Sequence, residues 1–196
     1  IIVAYADTLI RTDLSLDHES DGMIWVKKVS NPKAYGVVEL NEKDEINSLV
    51  EKPQEFVSDL AVIGIYYFRD AAFIKSELTD SMKKARSNGE EFLLNEGILS
   101  MMKKGAIFTP GKVKEWMDCG NPRITLETNK KMLGILTDEG NKLIADDITK
   151  ENSEIIPPCY IGKGVVLKNS IVGPNVAIGE GSLVEHSTIS DCLIQK

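Results

Sequence analysis

From Pro157 onward an apolar residue recurs every five or six positions, at Ile161, Leu167, Val172, Ile178 and Val184, with small or polar residues between. Internal repeats of this period signal a β-solenoid in which each apolar residue faces the coil axis. Gly162-Lys-Gly164 and Gly179-Glu-Gly181 sit at the repeat turns with no helix following, so they read as turns rather than as a phosphate-binding loop. About 40 residues make only some two coils, which is short for stacked repeats that need neighbours. An open solenoid end is an aggregation hazard unless covered, which points to a homo-oligomer or to further coils.

The preceding residues have a different texture. Over the whole chain of 196 residues, 42% are hydrophobic and 27% charged, an ordinary globular composition for one large or two small domains. A net charge of -7 and a pI near 5.0 argue against a nucleic-acid groove or an anionic membrane surface as the main partner. The three cysteines, Cys119, Cys159 and Cys192, have neither disulfide-framework nor zinc spacing, which fits a reducing, cytoplasmic compartment. The apolar run Leu60 to Phe68 is too short to span a bilayer and reads as a buried strand, with Gly64 allowing a close approach to its backbone. Ile1-Ile2-Val3-Ala4-Tyr5 reads as a strand buried on both faces, as in parallel sheets covered by helices. The chain starts on this strand without an initiator Met, so the sequence reads as a fragment of a longer polypeptide.

Asp7 then falls at the carboxyl end of that strand, where ligands of open α/β sheets gather, although a turn or N-cap Asp is as common. Residues 11 to 23 read as loop, with His18 solvated in it. Asp70 is placed to cap a helix through about Ser87, with Ile74, Leu78, Met82 and Ala85 on one face and Gly89 ending it. A second helix over roughly Glu91 to Lys104 puts Leu94, Ile98 and Met101 on one face, and Asn121-Pro122 opens a third carrying Leu126, Leu133 and Leu136. Two short strands, Ala106 to Thr109 and Val113 to Met117, lie between, the second delivering Asp118. Strands and helices thus alternate in the pattern of an α/β sheet.

Into this pattern is set a hairpin. Val37, Val38 and Leu40 form one strand, Ile46, Leu49 and Val50 the other, and Asn41-Glu42-Lys43-Asp44 the turn. Its ends bring Tyr35-Gly36 beside Glu51-Lys52, and Pro53 stops the ladder because it has no N–H. A residue before proline is held extended, so Lys52 is expected to project from a stiff strand end. Bare backbone at Gly36, a carboxylate at Glu51 and an ammonium at Lys52 suit a sugar phosphate; a solvated surface hairpin is the plain alternative.

Taken in order, Tyr-Ala-Asp7-Thr, Tyr35-Gly36-Val-Val-Glu, Val50-Glu-Lys-Pro53, Ala61-Val-Ile-Gly-Ile-Tyr66 and Trp116-Met-Asp-Cys-Gly120 resemble the sugar-1-phosphate nucleotidyltransferases, over most of residues 1 to 136. The resemblance implies Mg2+ held by Asp7 and Asp118, sugar hydroxyls held by Gly36 and Glu51, the sugar phosphate by Lys52, and pocket walls from Tyr35 and Tyr66. It implies transfer of a nucleotidyl group from a nucleoside triphosphate to a sugar-1-phosphate, with Lys52, Asp7 and Asp118 as the catalytic residues. Three departures stand out: Ala6 replaces the usual Gly before the first Asp, Leu94-Asn95-Glu96 stands where many members have Leu-Thr-Asp, and the family's glycine-rich loop would precede residue 1. The C-terminal repeats resemble the hexapeptide repeat of left-handed β-helices.

The fold expected is therefore α/β: a partial Rossmann-like nucleotidyltransferase sheet with an inserted β-hairpin over residues 1–137, a linker over 138–154, and a short left-handed parallel β-helix over 155–196. Two other functions stay open. One is a non-catalytic subunit that binds a nucleotide sugar and regulates or assembles with an active partner. The other is an acyltransferase acting through the repeats, where His186 is the one histidine.

Overall fold

The computed structural model describes residues 1–13, 15–88 and 93–195, in two compact units, Ile1–Met117 and Asp118–Lys196. The first is built from β1 (Ile2–Ala4), β2 (Thr8–Arg11), β3 (Gly22–Lys28), β4 (Gly36–Leu40), β5 (Ile46–Glu51), β6 (Leu60–Phe68), helices α1 (Ala71–Asn88) and α2 (Leu94–Lys103), β7 (Phe108–Lys112) and β8 (Glu115–Asp118), the last residue of which falls in the second unit. Five strands lie in the order β5-β4-β6-β3-β7. In this sheet β3 and β7 run parallel, and β1–β6, β3–β6, β4–β5 and β4–β6 are antiparallel.

β6 organises this sheet. One of its edges pairs with β3 along most of its length; the other takes β4 at Ala61 and β1 from Ile65 to Tyr67. Its apolar run carries side chains to both faces, because neighbouring residues of a strand point opposite ways. Tyr66 and Phe68 join Ile24, Val26, Val38 and Phe108 on one face, packed by Ile74 of α1 and by Ile98 and Met101 of α2. Ile63 and Ile65 join Met23, Trp25 and Val113 on the other.

The helices start where their caps place them. Asp70 Oδ1 accepts hydrogen bonds from the N–H groups of Ala72 (2.8 Å) and Phe73 (3.1 Å). Gly89, expected to end α1, and Glu91, expected to open α2, lie outside the described residues. Between the helices Glu77, 3% exposed, accepts from Ser100 Oγ and Lys104 Nζ at 2.6 Å each. A buried carboxylate needs such partners, and these fix α2 against α1.

The expectation for the first strand is corrected. β1 is antiparallel to β6, and Ile1 and Ile2 are 58% and 53% exposed; only Val3 is half-buried. An apolar run shows that a strand could be covered, not that another layer covers it. β2 is also a strand within the segment next to the expected loop, and the loop that follows leaves His18 exposed.

In the second unit α3 (Pro122–Asp138) opens with Asn121 accepting from the Ile124 N–H at 3.1 Å. Leu133 is buried, whereas Leu126 is 39% exposed. After it, among the described residues, come nine short strands, β9 (Thr149–Glu151), β10 (Glu154–Ile155), β11 (Cys159–Ile161), β12 (Val166–Lys168), β13 (Ile171–Val172), β14 (Val176–Ile178), β15 (Leu183–Glu185), β16 (Thr188–Ile189) and β17 (Leu193–Ile194). They stack in three parallel sheets, β15-β12-β9, β10-β13-β16 and β11-β14-β17. This is a parallel β-helix.

Successive coils are related by seventeen residues, as in Cys159↔Val176 and Leu167↔Val184. Ile161, Val172, Val176 and Ile178 line its buried interior, with Leu167 and Val165 fully buried. The winding begins earlier than the sequence suggested: Ile144 bridges Ile161, and β9 and β10 pair with β12 and β13. The segment 138–154 is therefore partly solenoid. Its strand β9 is exposed throughout, with Lys150 in register with the inward Leu167, so the apolar period is missing there although the backbone follows it. Corners fall at residues in left-handed backbone, Asn152, Asn169 and His186 in one row and Gly164 and Gly181 in another. Asn and Gly adopt that region most readily, and His186 takes the third place of the Asn row as a corner residue.

Leu167 touches the coil axis with no exposure, so Leu167→Ala leaves a cavity and is expected to destabilise the second unit by about 2–5 kcal/mol. Denaturant unfolding followed by circular dichroism measures it; a loss under about 1 kcal/mol would mean that the solenoid interior collapses around the gap.

Candidate active site

The β4–β5 hairpin forms as its sequence dictates. Asn41 Oδ1 accepts from the N–H groups of Lys43 and Glu45, and Asp44 takes left-handed backbone (φ 59°), which closes the turn. The register pairs Val37 with Val50 and Val38 with Leu49, and so sets Gly36 opposite Glu51. A Cβ on Gly36 would lie 2.9 Å from Glu51 Oε2, so the carboxylate occupies the space that any other residue would fill. The same oxygen accepts a 3.0 Å hydrogen bond from Asn95 Nδ2, delivered by the first turn of α2.

Asn95 had no role in the sequence reading beyond marking a departure from the family pattern. Its signal was weak: an amide following Leu93-Leu94, one residue into a helix whose start the sequence placed at about Glu91.

Lys52 is where the expected geometry fails. Its φ is +42°, in the left-handed region, not extended. Two constraints account for this. Its N–H donates to the Tyr35 carbonyl at 3.1 Å, prolonging the ladder by one bond, while Pro53 next to it is buried. The chain must turn from the ladder into the protein within one residue. Left-handed backbone is costly for a residue with a Cβ, and more so before proline, of order 1–3 kcal/mol. The ammonium itself stays exposed, 3.9 Å from Glu51 Oε1.

Tyr35 is half-buried and meets Trp116 edge-on, with ring centroids 5.1 Å apart. Tyr66 is 2% exposed and packs in the core, its ring 5.7 Å from that of Tyr5. Tyr5 reaches this place because Gly64, with φ 78°, has no Cβ; one would sit 2.7 Å from the Tyr5 ring. This is the close approach that the glycine within β6 suggested. Burial foremost, then the Tyr5 hydroxyl and the negative charge of Glu51, push the Tyr66 hydroxyl well above its ordinary value.

Of the residues singled out from sequence, Tyr35, Gly36, Glu51, Lys52 and Tyr66 all belong to the first unit. There the ladder joins Tyr35 to Lys52 and Gly36 to Glu51, and the charge of Glu51 is felt at Tyr66. Asp7 lies in the exposed turn between β1 and β2, and its carboxylate makes no hydrogen bond or ion pair among the described residues. Asp118, in the second unit, is half-buried; its Oδ1 accepts from the Gly120 N–H at 2.8 Å, and its backbone carbonyl accepts from Thr128 Oγ1 at 2.7 Å. The first of these bonds orients the Asp118 carboxylate through Oδ1. Among the described residues no group of three or more His, Cys, Asp or Glu side chains could hold a metal ion. The carboxylate of Asp7, and that of Asp118, is the kind of oxygen donor of which magnesium takes one or two from a protein while keeping much of its water. Among the described residues no helix is long and apolar enough to cross a membrane.

The family model described as nucleotidyl transferase matches residues 4–134. A glucose-1-phosphate thymidylyltransferase of Streptomyces griseus is 28% identical over 89% of this chain and 51% of its own length. A mannose-1-phosphate guanylyltransferase catalytic subunit beta of Drosophila pseudoobscura pseudoobscura is 30% identical over 84% of this chain and 38% of its own length. The chain thus spans about half the length, or less, of these curated relatives. A crystal structure of a Bacillus anthracis protein named for glucose-1-phosphate thymidylyltransferase activity shares the fold, with a TM-score of 0.51 and 21% identity over 65% of this chain and 52% of that one.

Two outcomes follow from the geometry. Gly36→Ala pushes against the flexible tip of Glu51, not against backbone, so stability should change by less than about 1 kcal/mol while the Asn95–Glu51 hydrogen bond is lost. The Asn95 side-chain amide resonance reads this directly; an unmoved resonance would show that the carboxylate does not depend on the bare backbone. For Tyr66, the folded state keeps the phenolic proton above pH 10.0, where an unfolded tyrosine loses it. Ionisation then favours the unfolded state, so stability falls as pH rises past about 10, and Tyr66→Phe should flatten that fall in urea titrations between pH 9 and 11.

Proposed function

The chain belongs to the nucleotidyl transferase family, and we propose that the protein transfers a nucleotidyl group from a nucleoside triphosphate to a sugar-1-phosphate, giving a nucleotide sugar and pyrophosphate. The relatives named above carry out this exchange by name, with different sugars and bases. The observation that carries the reading is the open end of the hairpin, where Glu51 lies against the bare backbone of Gly36 with Lys52 beside it.

Each residue then has a definite task. Glu51 and the Gly36 backbone bind sugar hydroxyls, since a carboxylate accepts several hydrogen bonds and glycine lets the ring approach. Tyr35 supplies a wall, while Tyr66, expected as a second wall, lies in the core with its ring against Tyr5. Lys52 meets the sugar phosphate as a mobile point charge, and its turned backbone aims it away from the ladder. Asp7 and Asp118 would hold magnesium, which when bound neutralises phosphate charge and polarises the α-phosphate. The sugar phosphate oxygen bonds to the α-phosphorus as the bond to the β-phosphate oxygen breaks, and the electron pair leaves on pyrophosphate. Lys52 lowers the repulsion between two anions brought together, which is positioning and charge stabilisation rather than acid–base chemistry. The same reading includes a cytoplasmic protein that self-associates through its solenoid.

The test is pyrophosphate release by the intact protein with magnesium, offered glucose 1-phosphate and mannose 1-phosphate with each of the common nucleoside triphosphates, beside Asp118→Ala. Release with one pair, reduced by about a hundredfold or more in the variant, is expected. Silence with every pair from a folded protein would instead support a subunit that binds nucleotide sugars without turning them over.

A further inference from the structure

We propose that Asn95 is a positioning residue of the sugar pocket, holding the Glu51 carboxylate against Gly36 at a cost to the fold; this rests on the reading of the site given above. Glu51 is long, partly exposed and at the end of its strand, and the Lys52 ammonium draws on its other oxygen from 3.9 Å. Left alone, its carboxylate would exchange among rotamers and solvent. The 3.0 Å bond from Asn95 Nδ2 to Oε2 fixes one of them. An ionised carboxylate only accepts, so the amide must present its N–H group and cannot flip.

That orientation has a consequence on the far side of the amide. Asn95 Oδ1 is buried and has no hydrogen-bond partner among the described residues. An unpaired buried carbonyl oxygen is destabilising, and an apolar side chain of similar size would fold at least as well there. The rest of α2 shows no such concession: Ile98 and Met101 are fully buried, and Gly97 lets Leu78 of α1 approach to 2.5 Å of where a Cβ would be. The chain keeps an amide where packing alone favours none, and among the described residues that amide's one hydrogen bond goes to Glu51. A preset carboxylate meets a sugar hydroxyl without first being ordered, and this raises affinity.

The test uses the intact protein and its Asn95→Leu and Asn95→Asp variants, with Michaelis constants measured separately for glucose 1-phosphate or mannose 1-phosphate and for the nucleoside triphosphate, beside melting temperatures. Asn95→Leu should raise the sugar-phosphate constant by roughly tenfold or more, leave the triphosphate constant in place, and melt at or above the wild-type temperature. Asn95→Asp sets a second carboxylate against Glu51 and should lose sugar affinity near neutrality, regaining part of it in acid as the pair comes to share a proton. An unchanged sugar constant in Asn95→Leu overturns the inference, as does a parallel loss for both substrates with a lower melting temperature. Absence of turnover in the wild type counts against the proposed function alone. Calorimetric binding of the two sugar phosphates then decides the role of Asn95: weaker binding by Asn95→Leu supports it, and equal or no binding by both proteins overturns it.

Discussion

Burial of one face of the β4–β5 hairpin fixes the register on which the candidate site depends. Val38 is fully buried on that face, and Ile46 and Leu49 beside it are 5% exposed. A slip of one residue would turn these side chains toward water, losing about 1.5–3 kcal/mol for each. Gly36 faces Glu51 only in the register that burial selects, and Val37 ties the hairpin to β6 through Ala61. The polar residues of the site contribute little to this choice; they inherit their positions from the apolar ones.

Around that fixed point the chain accepts local costs. Lys52 holds left-handed backbone before a proline, Asn95 carries a buried oxygen without a partner among the described residues, and Gly36 gives up a side chain within a strand. Each departs from what stability alone would choose, and all three lie within a few residues or one hydrogen bond of Glu51. Compensation comes from the layer behind, where β6 is paired on both edges and the Glu77–Lys104–Ser100 group ties α1 to α2. Departures gathered in one place, within an otherwise consistent fold, are the physical mark of a site.

Sequence made legible whatever depends on local chemistry or on a period. The hairpin turn, the caps at Asp70 and Asn121, the buried run of β6, the close approach at Gly64 and the solenoid interior all follow from residues a few positions apart. Features set by distant partners were hidden. β1 looked buried because its residues are apolar, but β6 leaves it an edge with exposed outer side chains. Lys52 looked extended because proline favours that, until the Tyr35 carbonyl and the buried Pro53 are both counted. Asn95 lies 44 positions from Glu51, a separation that no local pattern bridges. The first solenoid coil escaped notice because Lys150 sits where later coils have Leu167 and Val184.

The solenoid also records how its length can change. Its coils repeat at seventeen residues from β10 to β13 to β16, yet the last sheet closes one residue short, with Ala177 beside Leu193 and Ile178 beside Ile194. The missing residue comes out of the corner after β16, where Asp191 N–H donates to the Pro174 carbonyl and Asn175 Nδ2 to Asp191 Oδ1 at 2.9 Å, so the two corners stay bonded despite their unequal lengths. Strands admit no such change, since one residue more or less would turn an inward side chain out. Insertions and deletions in this part of the chain are thereby channelled to the corners, and a coil can gain or lose a residue there while the interior keeps its alignment.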